Sequence, residues 1–450
     1  MPESRWIDPG RSPERPVTLA ELSRRIKVLE NIHKDEITLY TLDSTGTSRA
    51  GGVYYYKTIA EAAKHILQHP AQNFEMKVGD LCEDPDAIDI PNYAFSRFSH
   101  PSYGPSGYFE NLCKVYLGPT ETIGNYAFEA NKYLTVVEFP KVKTIGQYAF
   151  HWCPIKKLFF PKTLTLINQS AFYALNYNGS SPYTLEEVIF EEGGTEPLTL
   201  APDCLGYNGP DYNWHSVVLP ERIDVLLRNS ISNCEGLYCV KTNKKYSDRT
   251  PSMGWVDDYS VGWSGRLLFV WDTVNVMLDQ CDANGVLLVD DGNHPEYHMD
   301  FDTKERWTEW TEQIALSSVK IYAQLTFQNP NDPDLYWGAN EYSGCQTVRV
   351  IVKGSYGEID GNILGVRNTN SNSYKLKYVD IEEGVTKIQK DAFRMHQGLV
   401  EVNIPSSMVT MEDGVFYGCE GAFTININKP EGSITGAPWG ATNATVNWLG

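Results

Sequence analysis

Long apolar runs are missing from this 450-residue sequence, and none approaches the roughly 18 residues that a membrane-spanning helix needs. The first ten residues, Met1 to Gly10, hold no apolar stretch, so no secretory signal peptide is expected. On that reading the protein stays in the cytoplasm or leaves by another route, such as inside a virus particle. Basic charge is scarce: 38 Lys and Arg face 57 Asp and Glu, a net charge of −19. A field of that sign repels phosphate, which argues against general nucleic-acid binding and against binding to anionic lipid. Nine cysteines, an odd number, include no Cys-x-x-Cys, so neither a disulfide framework nor a zinc site is expected, and buried reduced thiols are. There is no Gly-x-Ser-x-Gly elbow, no phosphate loop among Gly104, Gly107 and Gly118, and no EF-hand spacing around Asp257-Asp258 or Asp290-Asp291. His294-Pro-Glu-Tyr-His298-Met-Asp300 has metal-ligand types, yet Pro295 breaks the helix that a His-x-x-x-His zinc pair uses. No catalytic residue, metal or cofactor is therefore expected, and an enzyme carried on residues 245–345 is the weakest of the functional readings.

Repetition is abundant. Ile123-Gly-Asn-Tyr-Ala-Phe128 recurs as Ile145-Gly-Gln-Tyr-Ala-Phe150 and Ile167-Asn-Gln-Ser-Ala-Phe172, with the phenylalanines 22 residues apart. Ile388-Gln-Lys-Asp-Ala-Phe393 and Met411-Glu-Asp-Gly-Val-Phe416 repeat it downstream at a step of 23. Between copies lie strand-like runs closed by proline: Leu134 to Phe139-Pro140, Ile155 to Phe160-Pro161 and Leu399 to Ile404-Pro405. The Ile-x-x-x-Ala-Phe run places apolar side chains on one side of a short helical or turn segment. One unit cannot bury that side alone, and stacked units build continuous ladders. Strands are expected at 136–139, 157–160, 187–190, 216–219, 378–381 and 400–404, in parallel sheets.

This pattern, with Cys153 and Cys419 three residues after Phe150 and Phe416, resembles the BspA-like leucine-rich repeats of bacterial surface proteins and some parasites. The resemblance covers roughly residues 85–240 and 346–425 and implies a β-rich α/β solenoid. It brings no catalytic residue with it. Weaker copies end at Phe95, Leu205, Ile231 and Leu364. The segment Gly432 to Trp448 resembles the closing segment of repeat proteins in bacteriophage tails and virions, with Trp439 and Trp448 expected to cap the last repeat.

Insertions beyond the 22-residue step all fall between the Ala-Phe turn and the next strand. They are rich in Tyr, Ser, Gly and Asn, residues that serve binding loops and ordinary turns alike. Their rings, Tyr103, Tyr108, Tyr177, Tyr183, Tyr207, Tyr212, Trp214 and Tyr374, form the candidate ligand-binding edge.

The expected organisation has five parts. Residues 1–33 form an arm and a short helix (Thr18/Glu21 cap; Leu19, Leu22, Ile26 and Leu29 in line) for anchoring or oligomerisation. Residues 34–80 form a small α/β unit, 81–244 a first repeat block, 245–345 a β-rich, tryptophan-containing island with strands at Gly285–Val289 and Val319–Phe327, and 346–450 a second block with its cap. The functional expectation is a phage virion or tail protein that binds a host surface glycan or protein and meets other virion proteins through its N-terminal region. The alternative is a bacterial cell-surface adhesin, and a second alternative is a carbohydrate-binding or enzymatic island, with tryptophans that could stack on sugars, carried on the repeat scaffold. A homo-oligomer is allowed; nucleic acid and membrane insertion are not expected.

Overall fold

The computed structural model describes residues 34–98, 109, 111–175, 185–206, 214–226, 230, 231, 234, 237, 239–248, 267–270, 274–290, 294–302, 310, 321–328, 345–361 and 375–450. The expected N-terminal helix, and Trp255, Trp263, Trp271, Trp307 and Trp337 of the island, lie outside them.

The chain opens with a hairpin, β1 (Ile37–Leu42) and β2 (Arg49–Tyr56), then helix α1 (Ile59–Gln68) and β3 (Asn73–Val78). Thr58 and Glu61 form the expected capping box at α1. The repeats then alternate short and long strands: β4 (Asp89–Ile90), β5 (Leu112–Leu117), β6 (Thr122–Ile123), β7 (Val136–Glu138), β8 (Thr144–Ile145), β9 (Lys157–Phe160), β10 (Leu166–Ile167), β11 (Glu187–Phe190), β12 (Leu198–Leu200), β13 (Ser216–Leu219) and β14 (Ile223–Leu226). β15 (Cys239–Lys245) and β16 (Leu267–Val270) follow. The second half runs β17 (Val276–Cys281), β18 (His298–Phe301), β19 (Ile321–Phe327), β20 (Cys345–Val352), β21 (Glu358–Ile359), β22 (Tyr378–Ile381), β23 (Lys387–Ile388), β24 (Glu401–Ile404), β25 (Thr410–Met411), β26 (Phe423–Ile427) and β27 (Ala444–Trp448). All six long strands expected from the repeat are present, within one residue of their expected limits, and their ladders are parallel.

Two rows of strands line each unit. The short strands form one six-stranded sheet, β14-β12-β10-β8-β6-β4, and a smaller one, β21-β23-β25. Long strands form β2-β1-β3-β5-β7, the pair β11-β9, the trio β13-β15-β16, and the eight-stranded β18-β17-β19-β20-β22-β24-β26-β27. Between the rows lies the core. Phe95, Phe128, Phe150 and Phe172 stack at ring-centre spacings of 5.0, 5.1 and 5.1 Å, and Phe393 lies 5.9 Å from Phe416. All six are fully buried. Those spacings match the distance between neighbouring strands, as a ladder with one ring per repeat requires.

The Ile-x-x-x-Ala-Phe segment is a turn, and the residue before Ala-Phe sits in the left-handed region: φ is 62° at Tyr93, 58° at Tyr126, 54° at Tyr148, 54° at Ser170 and 64° at Asp391. A β-carbon added at Gly146 would lie 2.6 Å from the Asn125 amide of the preceding repeat, so close stacking demands glycine there.

The α/β unit at 34–80 is no separate body. β3 pairs in parallel with β5, and the residues of β1, α1 and β3 share one core with the repeats as far as Val240. It closes the end of the stack. The same device appears twice. In both halves an antiparallel pair precedes the parallel array: β2 and β3 flank β1, and β18 and β19 flank β17. The strands β1 and β17 end on the same turn, Asp43-Ser-Thr-Gly46 and Asp282-Ala-Asn-Gly285. Asp43 accepts amides from Thr45 and Thr47 at 3.1 and 3.0 Å, and Asp282 accepts from Asn284 and Val286 at 2.8 and 2.9 Å. Of the island's described strands, β17, β18 and β19 thus cap the second array, while β16 pairs with β15 at the end of the first. The expected strand at Gly285–Val289 does not form. After the Asp282 turn a single bridge, Cys281 to Leu287, is all that pairs, and Val286 to Val289 stand exposed. Trp310 packs in the second core, 5.5 Å from Phe301.

Truncation of Phe150 to alanine opens a cavity between two flat neighbours that cannot close on it. A loss of about 3–5 kcal/mol is expected in chemical denaturation. A loss below about 1 kcal/mol would show that the ladder relaxes around the gap.

Candidate ligand-binding surface

Of the eight rings expected on the loop edge, Tyr103, Tyr108, Tyr177, Tyr183, Tyr207, Tyr212 and Tyr374 lie outside the described residues. The eighth, Trp214, is a correction. It is 3% exposed and belongs to the core. It stands two residues before β13, the place held before other long strands by Leu134, Ile155, Leu185, Leu376 and Leu399, which are all buried. Trp214 is the leucine of its repeat.

Cysteine has a structural duty that its spacing announced. The thiol of Cys153 donates to the carbonyl of Phe128 at 3.0 Å, Cys419 to Phe393 at 3.2 Å, and Cys234 to Leu205 at 3.4 Å. Each reaches the same carbonyl of the preceding repeat. Asn131, three residues after Phe128, does the same to Phe95 at 2.7 Å. The eight cysteines with described side chains are all buried, and no disulfide joins any two of them. Burial raises the thiols of Cys113 and Cys281 to about 11 and those of Cys239 and Cys419 to about 12. Such thiols are inert.

Among the described residues, two aromatic surfaces lie on the repeats of the first array. The first is the turn edge, where Tyr93, Tyr126 and Tyr148 stack at 5.0 and 5.2 Å, continuing into His151 and Trp152. Their flat faces are spent on one another, so they offer edges, not platforms, to a ligand. They brace the left-handed turns that carry them.

The second is the solvent side of the long strands. A cleft of about 1270 Å³ spans β5, β7, β9 and β11, across the place where the ladder from β5 and β7 stops and that of β9 and β11 begins. Its floor holds Phe159 and Ile189, paired in register and 53% and 41% exposed, and Tyr133, 50% exposed. A strand position facing water ordinarily takes a polar side chain, and this exposed apolar register pair departs from that pattern. The rim is ionic and internally balanced: Lys156 to Glu186 at 3.0 Å and Lys157 to Glu187 at 2.7 Å. Lys114 donates to the Thr47 carbonyl at 2.7 Å, and Lys132 lies over the Tyr133 ring.

A third cluster joins the halves. Buried Glu296 accepts from the Ser216 hydroxyl of the first array at 2.8 Å and pairs with His294 at 3.1 Å. Lys241 donates to the carbonyls of Pro295 and His298. Beside it His298 is held between Asp279, at 2.6 Å, and Asp300, at 3.1 Å. Among the described residues no group of three or more His, Cys, Asp or Glu is placed to hold a metal ion, and no helix is long and apolar enough to cross a membrane.

A family model for the "BspA type Leucine rich repeat region" matches residues 109–188 and 367–437, in six copies. Both stretches are BspA-type leucine-rich repeats. The stacked phenylalanines, the buried leucines before each long strand and the cysteine caps are what these BspA-type repeats look like from inside. Solved structures similar to the chain include a leucine-rich repeat protein from Bacteroides ovatus, 14% identical over 83% of this chain and 86% of that one, with a TM-score of 0.27. The pneumococcal vaccine antigen PcpA is 12% identical over 81% and 84%, also at 0.27. A leucine-rich cell surface protein from Faecalibacterium prausnitzii is 14% identical over 86% and 87%, at 0.21. No curated protein matches the chain.

Two outcomes are expected here. Without reductant, Ellman's reagent should find none of the eight buried thiols in native buffer and nine in denaturant; fewer than nine would reveal a disulfide. His298 is raised from 6.5 to about 9, first by Asp279 and then by Asp300. A raised histidine stabilises the fold fully below 6.5 and loses that contribution as pH climbs to about 9. His298→Asn should therefore lower the melting temperature most below pH 6.5 and least above about pH 9. A difference independent of pH would mean that the imidazole acts only by packing.

Proposed function

We propose that this protein is a non-enzymatic recognition protein of the bacterial surface, an adhesin-like repeat scaffold that grips a host surface protein on the open face of its long strands. The observation that carries the reading is the exposed register pair Phe159 and Ile189 in the sheet-face cleft. A repeat scaffold holds such side chains on rigid strands, so little order is lost when a ligand arrives. The apolar floor with a self-neutralised rim suits a folded protein surface or an extended peptide. A polyanion would meet the carboxylates of Glu186 and Glu187 on this rim, each already paired with a lysine.

The repeat family supports a surface setting. A phage-tail setting, suggested by the closing segment, draws no support from the similarities found, and the seven loop tyrosines stay a proposal beside the cleft. Trp439 does bury itself under the last repeat, with its indole nitrogen donating to the Thr435 carbonyl at 2.8 Å, and Trp448 is half-buried.

Phe159→Ala and Tyr133→Ala should each weaken attachment to host cells or to immobilised host surface proteins by tenfold or more, since binding energy concentrates in a few buried rings worth about 2 kcal/mol each. Both side chains are half in water, so thermal melting should barely move. Unchanged binding in the Phe159→Ala/Tyr133→Ala double variant, with loss in the loop-tyrosine variants, would move the site to the loop edge.

A further inference from the structure

Among the described residues β27, at the end of the strand order of the eight-stranded sheet, pairs with β26 alone. Open edges are normally blunted by charge, proline or a bulge. The opposite edge of the same sheet follows that rule, with His298 and Asp300 on β18. β27 does not. Its sequence is Ala-Thr-Val-Asn-Trp, and no Lys, Arg, Asp or Glu occurs anywhere from Gly432 to Gly450. We infer that β27 pairs antiparallel, about a two-fold axis at Val446, with β27 of a second copy of this chain.

Three observations select that partner and that register. The first is main-chain phase. Leu449 donates its amide to the Ile427 carbonyl of β26 at 2.8 Å. By alternation Thr445 and Asn447 also turn their amides and carbonyls to β26, leaving those of Ala444, Val446 and Trp448 for the open side. Val446 opposite its own copy is then a hydrogen-bonded pair, flanked by two Ala444–Trp448 pairs, about six main-chain bonds in all.

The second is an amide ladder. Asn403 donates to Asp380 at 2.7 Å, Asn426 to Asn403 at 3.0 Å, and Asn447 to Asn426 at 3.2 Å. Asp380, which also receives Arg349, only accepts when ionised, so every amide above it must point its nitrogen backwards. The ladder therefore ends at the open edge in the Asn447 side-chain oxygen, an acceptor. In the Val446-centred register the residue opposite Asn447 is Thr445 of the second copy, whose hydroxyl is a donor.

The third is shape. Ala444, Val446 and Trp448 pack partly buried against the second core. Self-pairing sets the small Ala444 against the large Trp448 and joins the two cores at Val446. A parallel strand of another protein would need the same pattern supplied from outside, whereas this chain contains it. The contact is small for an interface, so the dimer should depend on concentration.

Sedimentation equilibrium of the full chain should show the mass rising from monomer towards twice that value with concentration. Val446→Pro removes an outward amide that the fold itself does not use, and should hold the chain at monomer with its cooperative melt intact. Exposed Thr445 and Asn447 allow a test that leaves the core alone. Under mild oxidation, Thr445→Cys mixed with Asn447→Cys should give a disulfide-linked dimer, and neither variant by itself should. A chain that stays monomeric at every concentration and forms no such cross-link would overturn the inference. So would a dimer that persists in Val446→Pro without the mixed cross-link, or a cross-link formed by Thr445→Cys alone, which would require another register. If Val446→Pro fails to fold, the mixed cross-link decides.

Discussion

The structure depends on the main-chain bonds between successive turns. Tyr126, Phe128 and Ala130 donate their amides to Gln147, Ala149 and His151; Tyr148, Phe150 and Trp152 donate to Gln169, Ala171 and Tyr173. The same three-bond exchange links Asp391, Phe393 and Met395 to Gly414, Val415 and Tyr417. Reaching the neighbour with alternate amides over five residues requires an extended zigzag that also turns. The left-handed residue before Ala-Phe supplies the turn, and the stacked rings above and below hold it. Register is thereby fixed at each step. A repeat that slipped by one residue would lose the amides, the ring stack and the cysteine cap together.

That constraint governs where the chain is free to vary. Short strand, long strand and turn are each tied to their neighbours, so extra residues fall in the links between them: mostly between the turn and the next long strand, with a smaller insertion between β11 and β12. It also explains the double cap. A stack whose repeats are satisfied by neighbours has an unsatisfied end, and each half begins with an antiparallel pair hinged on an aspartate turn, at Asp43 and at Asp282. Ser216 to Glu296 and Lys241 to Pro295 then fasten the end of the first array to the cap of the second.

Much of this was legible in the sequence because a ladder repeats one side chain at one phase. Phe128, Phe150 and Phe172 declared the period, and Cys153 and Cys419 declared the cap three residues on. The caps were not legible as such, for they occur once per array and carry no period. Gly285–Val289 reads as a strand by composition, yet the Asp282 side chain spends the amides of Asn284 and Val286 and the pairing dies after one bridge. Trp214 departs from its local composition for a related reason. Its neighbours Tyr212, Asn213 and His215 look like loop, while its distance from β13 makes it the repeat's buried leucine. Spacing outranks local composition wherever a ladder exists.

The same logic accounts for the cleft. In Lys157-Leu-Phe-Phe160 and Glu187-Val-Ile-Phe190 the apolar residues run together, and composition alone does not say which of them face water. The ladder does: Leu158, Phe160, Val188 and Phe190 fill the buried phase, which leaves Phe159 and Ile189 outside and opposite one another. A fold that needs one apolar residue in two along its long strands has no structural use for the second. Phe159 and Ile189 gain a cross-strand contact with one another, but at the outward phase they stay outside the buried ladder, and that exposure is what the proposed function rests on.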